Sequence, residues 1–337
     1  MNTKFKMLED VLKIRQLIGN TPLIQLVENQ SYNLFAKLEY NNFSGSIKDR
    51  AANNILFQGI NDGKINPETT IVESSSGNLG ISMALHCNRL GLDFIVVVDP
   101  HISKINLKLL KLFATKVIMV DKPDDTGGYL LTRIETVKHI IETNENCFWT
   151  NQYQNENNFK GYRDMSHEIN QNFTRLDYLF VATSSCGTIT GLSKFVKQYF
   201  PGVTVVAVDI KGSLIFSDEK HKRLISGLGA GQKACFLEKA SVDDVMILNH
   251  QEIITGCRAM LREHSIFAGG SSGACYYAAR KYLDQLAPTY PIPNCLIICP
   301  DKGVPYIDNI YSEQWSDRVI KSELPAVVED RQPVSEI

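Results

Sequence analysis

Residues 70–91, TIVESSSGNLGISMALHCNRLG, contain a strand, a loop and a helix in succession, and this unit sets the expectation for the whole chain. The β-rich run at 70–74 leads into a loop of serines and glycines, and apolar residues at helical spacing follow it. Short apolar runs alternate with amphipathic stretches along most of the sequence. This alternation predicts parallel sheets that are covered by helices on both faces.

The strand–helix units form two groups, separated by a polar, asparagine-rich stretch near 145–158. We therefore predict an α/β protein with two doubly wound domains of mostly parallel sheets. The N-terminal domain spans 1–150, and its strand region at about 20–41 is the part that can cross into the other domain. The C-terminal domain spans 151–322, and 323–337 form a tail. Strands are predicted at 34–40, 70–74, 93–99, 116–121, 178–183, 204–209 and 295–301.

The composition is that of an ordinary globular protein. The 337 residues are 44% hydrophobic and 21% charged, with a formal net charge of −2. This balance gives no electrostatic reason to expect nucleic acid or an anionic membrane as a partner, so small metabolites are the expected ligands. The most apolar runs are only of strand length, and we expect neither a membrane span nor a signal peptide. The eight cysteines are scattered without a CxxC pair, which predicts a reduced, cytoplasmic protein without a disulfide framework or a metal site.

A lysine occupies an unusual position in NNFSGSIKDRAANNIL (41–56). The spacing of the apolar residues that follow places Lys48 in the first turn of a helix. An ammonium group is disfavoured there because it faces the positive end of the helix macrodipole. Taken alone, Lys48 is most simply a solvated lysine at a helix end. The functional alternative is a reactive free amine.

Three loops rich in serine and glycine each begin a helix. ESSSGNLG (73–80) suits a carboxylate, TSSCGTITG (183–191) can wrap a phosphate, and IFAGGSSGACYYAAR (266–280) permits close backbone approach. Each of the first two loops alone is equally consistent with an ordinary helix cap, and for the third alone a cap is favoured. CPDKGVPY (299–306) alone is consistent with a simple turn. A free amine on Lys48 beside a phosphate-binding loop indicates an aldehyde cofactor that carries a phosphate, which is pyridoxal phosphate.

Five segments, in order, resemble the fold-type II pyridoxal phosphate enzymes of the cysteine synthase and cystathionine β-synthase family. The resemblance covers about residues 15–315 and implies the fold of the tryptophan synthase β-subunit. The segments are GNTPL (19–23), KLEYNNFSGSIKDR (37–50), SSSGNLGIS (74–82), GTITG (187–191) and FAGGSSGA (267–274).

The resemblance implies a role for each matching residue. Lys48 would hold the cofactor aldehyde and shuttle the α-proton of the substrate. Asn78 would hydrogen-bond the pyridine 3′-oxygen, and Ser271 would meet the pyridine nitrogen. The substrate carboxylate would be held by Ser75, Ser76 and Asn78. The cofactor phosphate would be held by Ser184, Ser185, Cys186, Gly187 and Thr188.

Three further segments are similar to the N-(2-amino-2-carboxyethyl)-L-glutamate synthases of siderophore biosynthesis: VDPHIS (98–103), DDTGGYLLTRIETV (124–137) and NQY (151–153). This implies β-replacement. O-phospho-L-serine would lose its phosphate and become an aminoacrylate, and L-glutamate would then add to the aminoacrylate. Arg133 is the residue expected to select phosphoserine, because a guanidinium binds phosphate bidentately. An exposed helix arginine is the plain alternative. Tyr153 is a second candidate for specificity, with a packing role as its alternative.

Other functions remain open on the sequence. The same fold could serve a cysteine synthase that uses O-acetylserine or O-phosphoserine with sulfide. A lyase that releases pyruvate and a regulatory pseudoenzyme are further alternatives. Retention of Lys48, Asn78 and Ser271 argues against the pseudoenzyme. Members of the family are usually homodimers, and we expect a homodimer here.

Overall fold

The computed structural model describes residues 3–124 and 128–323. Its helices are α1 (Thr3–Arg15), α2 (Lys48–Asn61), α3 (Asn78–Leu90), α4 (Lys104–Phe113), α5 (Leu130–Thr143), α6 (Asn157–Lys160), α7 (Arg163–Asn172), α8 (Gly187–Tyr199), α9 (His250–His264), α10 (Gly270–Leu283) and α11 (Glu313–Glu323). Its strands are β1 (Leu23–Glu28), β2 (Asn33–Leu38), β3 (Thr70–Ser74), β4 (Phe94–Val98), β5 (Lys116–Met119), β6 (Cys147–Trp149), β7 (Tyr178–Ala182), β8 (Thr204–Ile210), β9 (Asp244–Leu248) and β10 (Asn294–Cys299).

The described strands form two sheets. A four-stranded sheet has the order β5-β4-β3-β6, and all its pairs are parallel. A six-stranded sheet has the order β1-β2-β10-β7-β8-β9, and it is parallel except for the antiparallel pair β1–β2. The prediction of an α/β fold with mostly parallel, helix-covered sheets is confirmed.

Helices cover both faces of the larger sheet because its strands are apolar on both sides. In β7, Leu179 and Val181 share a core with Ile189 of α8. Phe180 points to the other face and shares a second core with Ala278 of α10. Successive side chains of a strand alternate between faces, so such a continuous apolar run must be buried twice.

The smaller sheet follows the same rule. Ile71 of β3 belongs to the large core that also contains residues of α2 and α3. Its neighbour Val72 faces α5, where it packs with Val137 and Ile140. Because the parallel strands of a sheet end at one edge, the loops that follow them gather there, and that edge is where such sheets bind ligands.

The division into two domains stays a prediction. Strands β1 and β2, in the region at about 20–41, belong to the six-stranded sheet, and β6 lies within the stretch near 145–158. The strand predicted at 34–40 ends at Leu38. The predicted tail at 323–337 lies outside the described residues, apart from Glu323. Residues 125–127 of the segment resembling the siderophore enzymes lie outside them as well.

Neither membrane-spanning helices nor metal clusters are found in the part of the chain that the structure describes. No helix there is long and apolar enough to cross a membrane. No group of three or more metal-ligating side chains comes together there.

Four charged side chains are buried together where β2, α2 and α7 meet. Arg50 donates to Glu39 over 2.7 Å from Nε and to Glu168 over 2.8 Å from Nη1. Lys37 donates to Glu168 over 2.7 Å. Two positive and two negative charges therefore neutralise each other away from water. Such a cluster is stable only while every member keeps its partners.

Replacing Arg50 by leucine should destabilise the protein severely, because Glu39 and Glu168 lose their main partner while remaining buried. We expect a loss of about 3–5 kcal/mol in the free energy of unfolding, measured by urea denaturation. Glu9→Gln, which breaks an exposed pair with Lys13, is the control and should change it by less than about 1 kcal/mol. A loss for Arg50→Leu as small as that of the control would contradict this role.

The same cluster predicts a pH dependence of stability. Burial alone would raise the pKa of Glu168, but hydrogen bonds and the charges of Arg50 and Lys37 outweigh it and lower the pKa from 4.5 to about 2. A depressed carboxyl pKa stabilises the fold above its ordinary value, and the gain is lost as pH falls toward the folded-state pKa.

Urea denaturation of the wild type and of Glu168→Gln measures this contribution. The difference between their unfolding free energies should be constant above about pH 5 and shrink progressively as pH falls below about 4.5. A difference that stays the same down to pH 3 would show that Glu168 is not held ionised by the cluster.

Candidate active site

One cavity of about 300 Å³ lies at the carboxyl ends of strands from both sheets. The loops that follow β3, β4, β7 and β10 line it, together with the first turns of α2, α3 and α10. Eleven of the twelve residues predicted for the site line this cavity; Gly187 is the exception. They are Lys48, Ser75, Ser76, Asn78, Arg133, Tyr153, Ser184, Ser185, Cys186, Thr188 and Ser271.

Lys48 is the first residue of α2, as predicted. The backbone before it is fixed to the end of β10, because the N–H of Ile47 donates to the carbonyl of Pro300 over 2.9 Å. From this position the Lys48 Nζ donates to the Thr188 hydroxyl over 3.4 Å. The Lys48 amine therefore contacts the first turn of α8, just after the loop that follows β7.

The loop from Ser184 to Thr188 forms a cup of hydrogen-bond donors. Cys186 has a left-handed backbone with φ of 61°, which turns the chain sharply into α8. Within the described residues, the backbone N–H groups of Ser185, Cys186, Gly187 and Thr188 have no acceptor. A Cβ on Gly187 would collide with the Asn158 side chain, so glycine is required there. Unpaired N–H groups at a helix N-terminus suit a phosphate.

The loop after β3 is organised differently. The Ser75 hydroxyl accepts from the N–H of Gly80 over 3.1 Å and so caps α3. The Ser76 hydroxyl donates to Asp99 over 3.1 Å and accepts from Arg133 Nη1 over 3.1 Å. Both hydroxyls already have protein partners. The backbone N–H of Ser76 and the N–H groups at the start of α3 are the donors left for a bound anion.

Arg133 reaches the cavity from α5 and is partly neutralised there. Its Nη1 lies 3.2 Å from the Asp99 carboxylate. Its Nε is buried and has no acceptor among the described residues. Because Nε is enclosed, Nη2, which has no partner among the described residues, is the donor that remains for a ligand, and the Asp99 carboxylate partly neutralises the charge.

Asp301 is a site residue that sequence reasoning missed. It lies two residues after β10, in the segment CPDKGVPY that is also consistent with a simple turn. Its Oδ2 accepts from Asn78 Nδ2 over 2.7 Å and from the Tyr306 hydroxyl over 2.9 Å. Its buried Oδ1 has no partner in the described chain, and burial raises the pKa of this carboxyl. Its place at the carboxyl end of a central parallel strand was the available signal.

Ser271 lies in the first turn of α10 and is buried. Its hydroxyl has no hydrogen-bond partner within 3–124 and 128–323 and faces the cavity lined by Asn78 and Asp301. The preceding Gly269 donates its N–H to the carbonyl of Asp301 over 3.0 Å. A Cβ on Gly269 would collide with the Asp301 carboxylate, so this close approach depends on glycine.

Tyr153 is positioned by a buried carboxylate. Glu73 accepts from the Thr150 hydroxyl, from the N–H of Gln152 over 3.1 Å and from the N–H of Ser74 over 2.7 Å. These bonds fix the segment 150–153 against the end of β3. Burial raises the pKa of Glu73 and likewise that of Tyr153.

The chain matches the family described as pyridoxal-phosphate dependent enzyme over residues 14–301. It is similar to O-acetylserine dependent cystathionine β-synthase from Helicobacter pylori, with 27% identity and a TM-score of 0.81 over 89% of this chain and 98% of that one. O-acetyl serine sulfhydrylase isoform 3 from Entamoeba histolytica is 28% identical, with a TM-score of 0.80 over 92% and 95%. O-ureido-L-serine synthase is 25% identical, with a TM-score of 0.81 over 91% and 98%.

Glu73→Gln should loosen the segment that carries Tyr153. Both carboxylate oxygens of Glu73 accept hydrogen bonds, and the substitution replaces one of them by an NH2 group, which cannot accept. We expect a loss of about 1–3 kcal/mol in the free energy of unfolding, followed by tryptophan fluorescence. Glu68→Gln, at an exposed position before β3, is the matched control and should be neutral within about 0.5 kcal/mol. Equal stability of both variants would contradict the anchoring role of Glu73.

Proposed function

This chain belongs to the pyridoxal-phosphate dependent enzyme family, and from that premise we propose that it replaces the β-substituent of a serine derivative. The donor we propose is O-phospho-L-serine and the acceptor is L-glutamate. The products are N-(2-amino-2-carboxyethyl)-L-glutamate and phosphate. Enzymes of this family use pyridoxal phosphate, so the predicted cofactor is confirmed at the level of the family.

The residues of the cavity fit this cofactor on two observations. The unpaired N–H groups between Ser185 and Thr188 are suited to its phosphate. Lys48 Nζ donates to the hydroxyl of Thr188, at the end of this group of N–H donors. The amine and the phosphate-binding N–H groups are therefore close enough to bind two groups of one small molecule. We propose that Asn78 binds the pyridine 3′-oxygen and that Ser271 meets the pyridine nitrogen. When bound, the cofactor supplies an electron sink for the carbanion at Cα of the substrate.

The protein residues then handle the donor. The backbone N–H of Ser76 and those at the start of α3, Asn78 included, bind its carboxylate, and the Ser75 hydroxyl holds the turn that presents them. Lys48 Nζ takes the proton from Cα and returns it after the acceptor nitrogen has bonded to Cβ. Arg133 binds the leaving phosphate through Nη2, which has no partner among the described residues, and Tyr153 shapes the same wall.

One observation carries this proposal: an amine, a phosphate cup and a carboxylate-binding helix N-terminus converge on a single cavity. Phosphoserine, rather than a neutral ester, is supported by the Arg133 guanidinium on the cavity wall, since an acetyl group offers a guanidinium little. We further propose that the protein is a cytoplasmic homodimer that acts on small amino acids in siderophore biosynthesis. Size-exclusion chromatography with light scattering tests whether it is a dimer.

The reaction is tested by incubating the reconstituted enzyme with O-phospho-L-serine and L-glutamate. Mass spectrometry should show the condensation product, formed with an equal amount of phosphate.

Arg133→Gln should raise the KM for O-phospho-L-serine by about 10-fold or more, because a charge-assisted hydrogen bond is lost. Arg89→Gln, on the exposed side of α3, is the matched control and should leave that KM unchanged.

Cysteine synthesis is the second candidate, because two of the similar structures are named as O-acetylserine enzymes. Faster turnover of O-acetylserine with sulfide than of O-phospho-L-serine with glutamate would establish that function instead. In that case the KM for O-acetylserine should be insensitive to Arg133→Gln. Steady-state rates with both substrate pairs, measured on one preparation, decide between the two functions.

A further inference from the structure

The charges on the cavity wall do not match the substrates of the proposed reaction. O-Phospho-L-serine brings a carboxylate and a phosphate, and L-glutamate brings two more carboxylates. Lys48 and Arg133 are the lysine and arginine side chains that line the described cavity. Arg133 is already paired with Asp99. The donor has partners in the groups described above, whereas the carboxylates of the acceptor have none.

A further cation, Arg223, lies near residues that line the cavity, although it is not itself a lining residue. It belongs to the segment between β8 and β9, in which Ser226 and Gly227 line the cavity. Its Nη1 lies 3.0 Å from where a Cβ on Gly229 would stand. The carbonyl of Gly229 accepts from the Ser184 hydroxyl over 3.1 Å, so this guanidinium adjoins the phosphate cup.

Arg223 is half-buried but has no hydrogen bond or ion pair with any described residue. Burial lowers its pKa, and the buried Asp209, together with Tyr153, opposes this effect without forming an ion pair with it. A guanidinium that is partly removed from water and unpaired is unfavourable unless an anion completes it. Arginine is also the side chain best suited to bind a carboxylate through two parallel hydrogen bonds.

Tyr153 lies close to both arginines. The charges of both Arg133 and Arg223 act on its hydroxyl group. Arg133 extends from α5, which packs on the smaller sheet, whereas Arg223 lies on the side of the six-stranded sheet. Ser75, Ser76 and Arg133 serve the donor, so the part of the cavity lined by Ser226 and Gly227 is left for the acceptor.

We propose that Arg223 binds a carboxylate of the acceptor amino acid and so selects glutamate over uncharged or small nucleophiles. This inference rests on the proposed function. The donor reaction does not involve Arg223, and an acceptor without a carboxylate, such as sulfide, does not require it.

The test compares wild type, Arg223→Gln, Arg223→Lys and Lys222→Gln as cofactor-loaded enzymes. Lys222 is the exposed neighbour and serves as the charge-matched control. Arg223→Gln should raise the KM for L-glutamate by about 10-fold or more. Its KM for O-phospho-L-serine, measured as phosphate release, and its rate with sulfide should stay within about 2-fold of wild type. Arg223→Lys should recover part of the glutamate affinity, and Lys222→Gln should behave as wild type.

The outcomes separate this inference from the proposed function. If the wild type forms the glutamate product but Arg223→Gln has an unchanged KM for glutamate, the inference is wrong and the function stands. A rise confined to the KM for O-phospho-L-serine would place Arg223 at the donor phosphate and overturn the assignment to the acceptor. If the wild type forms no product with glutamate, the proposed function fails and the assignment fails with it. Circular dichroism and thermal unfolding confirm that each variant is folded, and Arg223→Lys provides the folded comparison if Arg223→Gln is not.

Discussion

The buried pairing of Arg50 with Glu39 and Glu168 is the constraint on which the site depends. Arg50 lies two residues after Lys48, so fixing its guanidinium fixes the first turn of α2. Asp49, between them, accepts from the Ser82 hydroxyl and ties the same turn to α3. Three consecutive residues therefore serve three elements, and the lysine is the one left facing the cavity.

This arrangement explains how a lysine is held at the unfavourable end of a helix. The free energy that fixes it comes from contacts on the other faces of α2, not from its own charge. The starts of α3 and α8 meet at this cavity because the parallel strands before them, β3 and β7, end at one edge of their sheets. The start of α10 lies beside them because the N–H of Gly269 donates to the carbonyl of Asp301 after β10. Helix N-termini from two sheets thus surround a space that favours anionic ligands.

Local sequence patterns were sufficient to predict the features of this structure that depend on residues close together in the sequence. The helix start at Lys48 and the loop at Ser184–Thr188 could be predicted because apolar spacing and loop composition depend on neighbouring residues. The three-residue strand β6 was not, because its polar surroundings resemble a linker. The pairing of Arg133 with Asp99 and the place of Asp301 depend on elements that are remote in sequence. No local pattern reports contacts of that kind.

The most direct test of this account identifies the residue to which the cofactor is attached. The protein is loaded with pyridoxal phosphate, reduced with borohydride, digested and analysed by peptide mass spectrometry. We expect the mass of the reduced cofactor on the peptide that contains Lys48, and its loss in Lys48→Ala. A label on another lysine, or none on the Lys48 peptide, would contradict the assignment of this cavity as the active site.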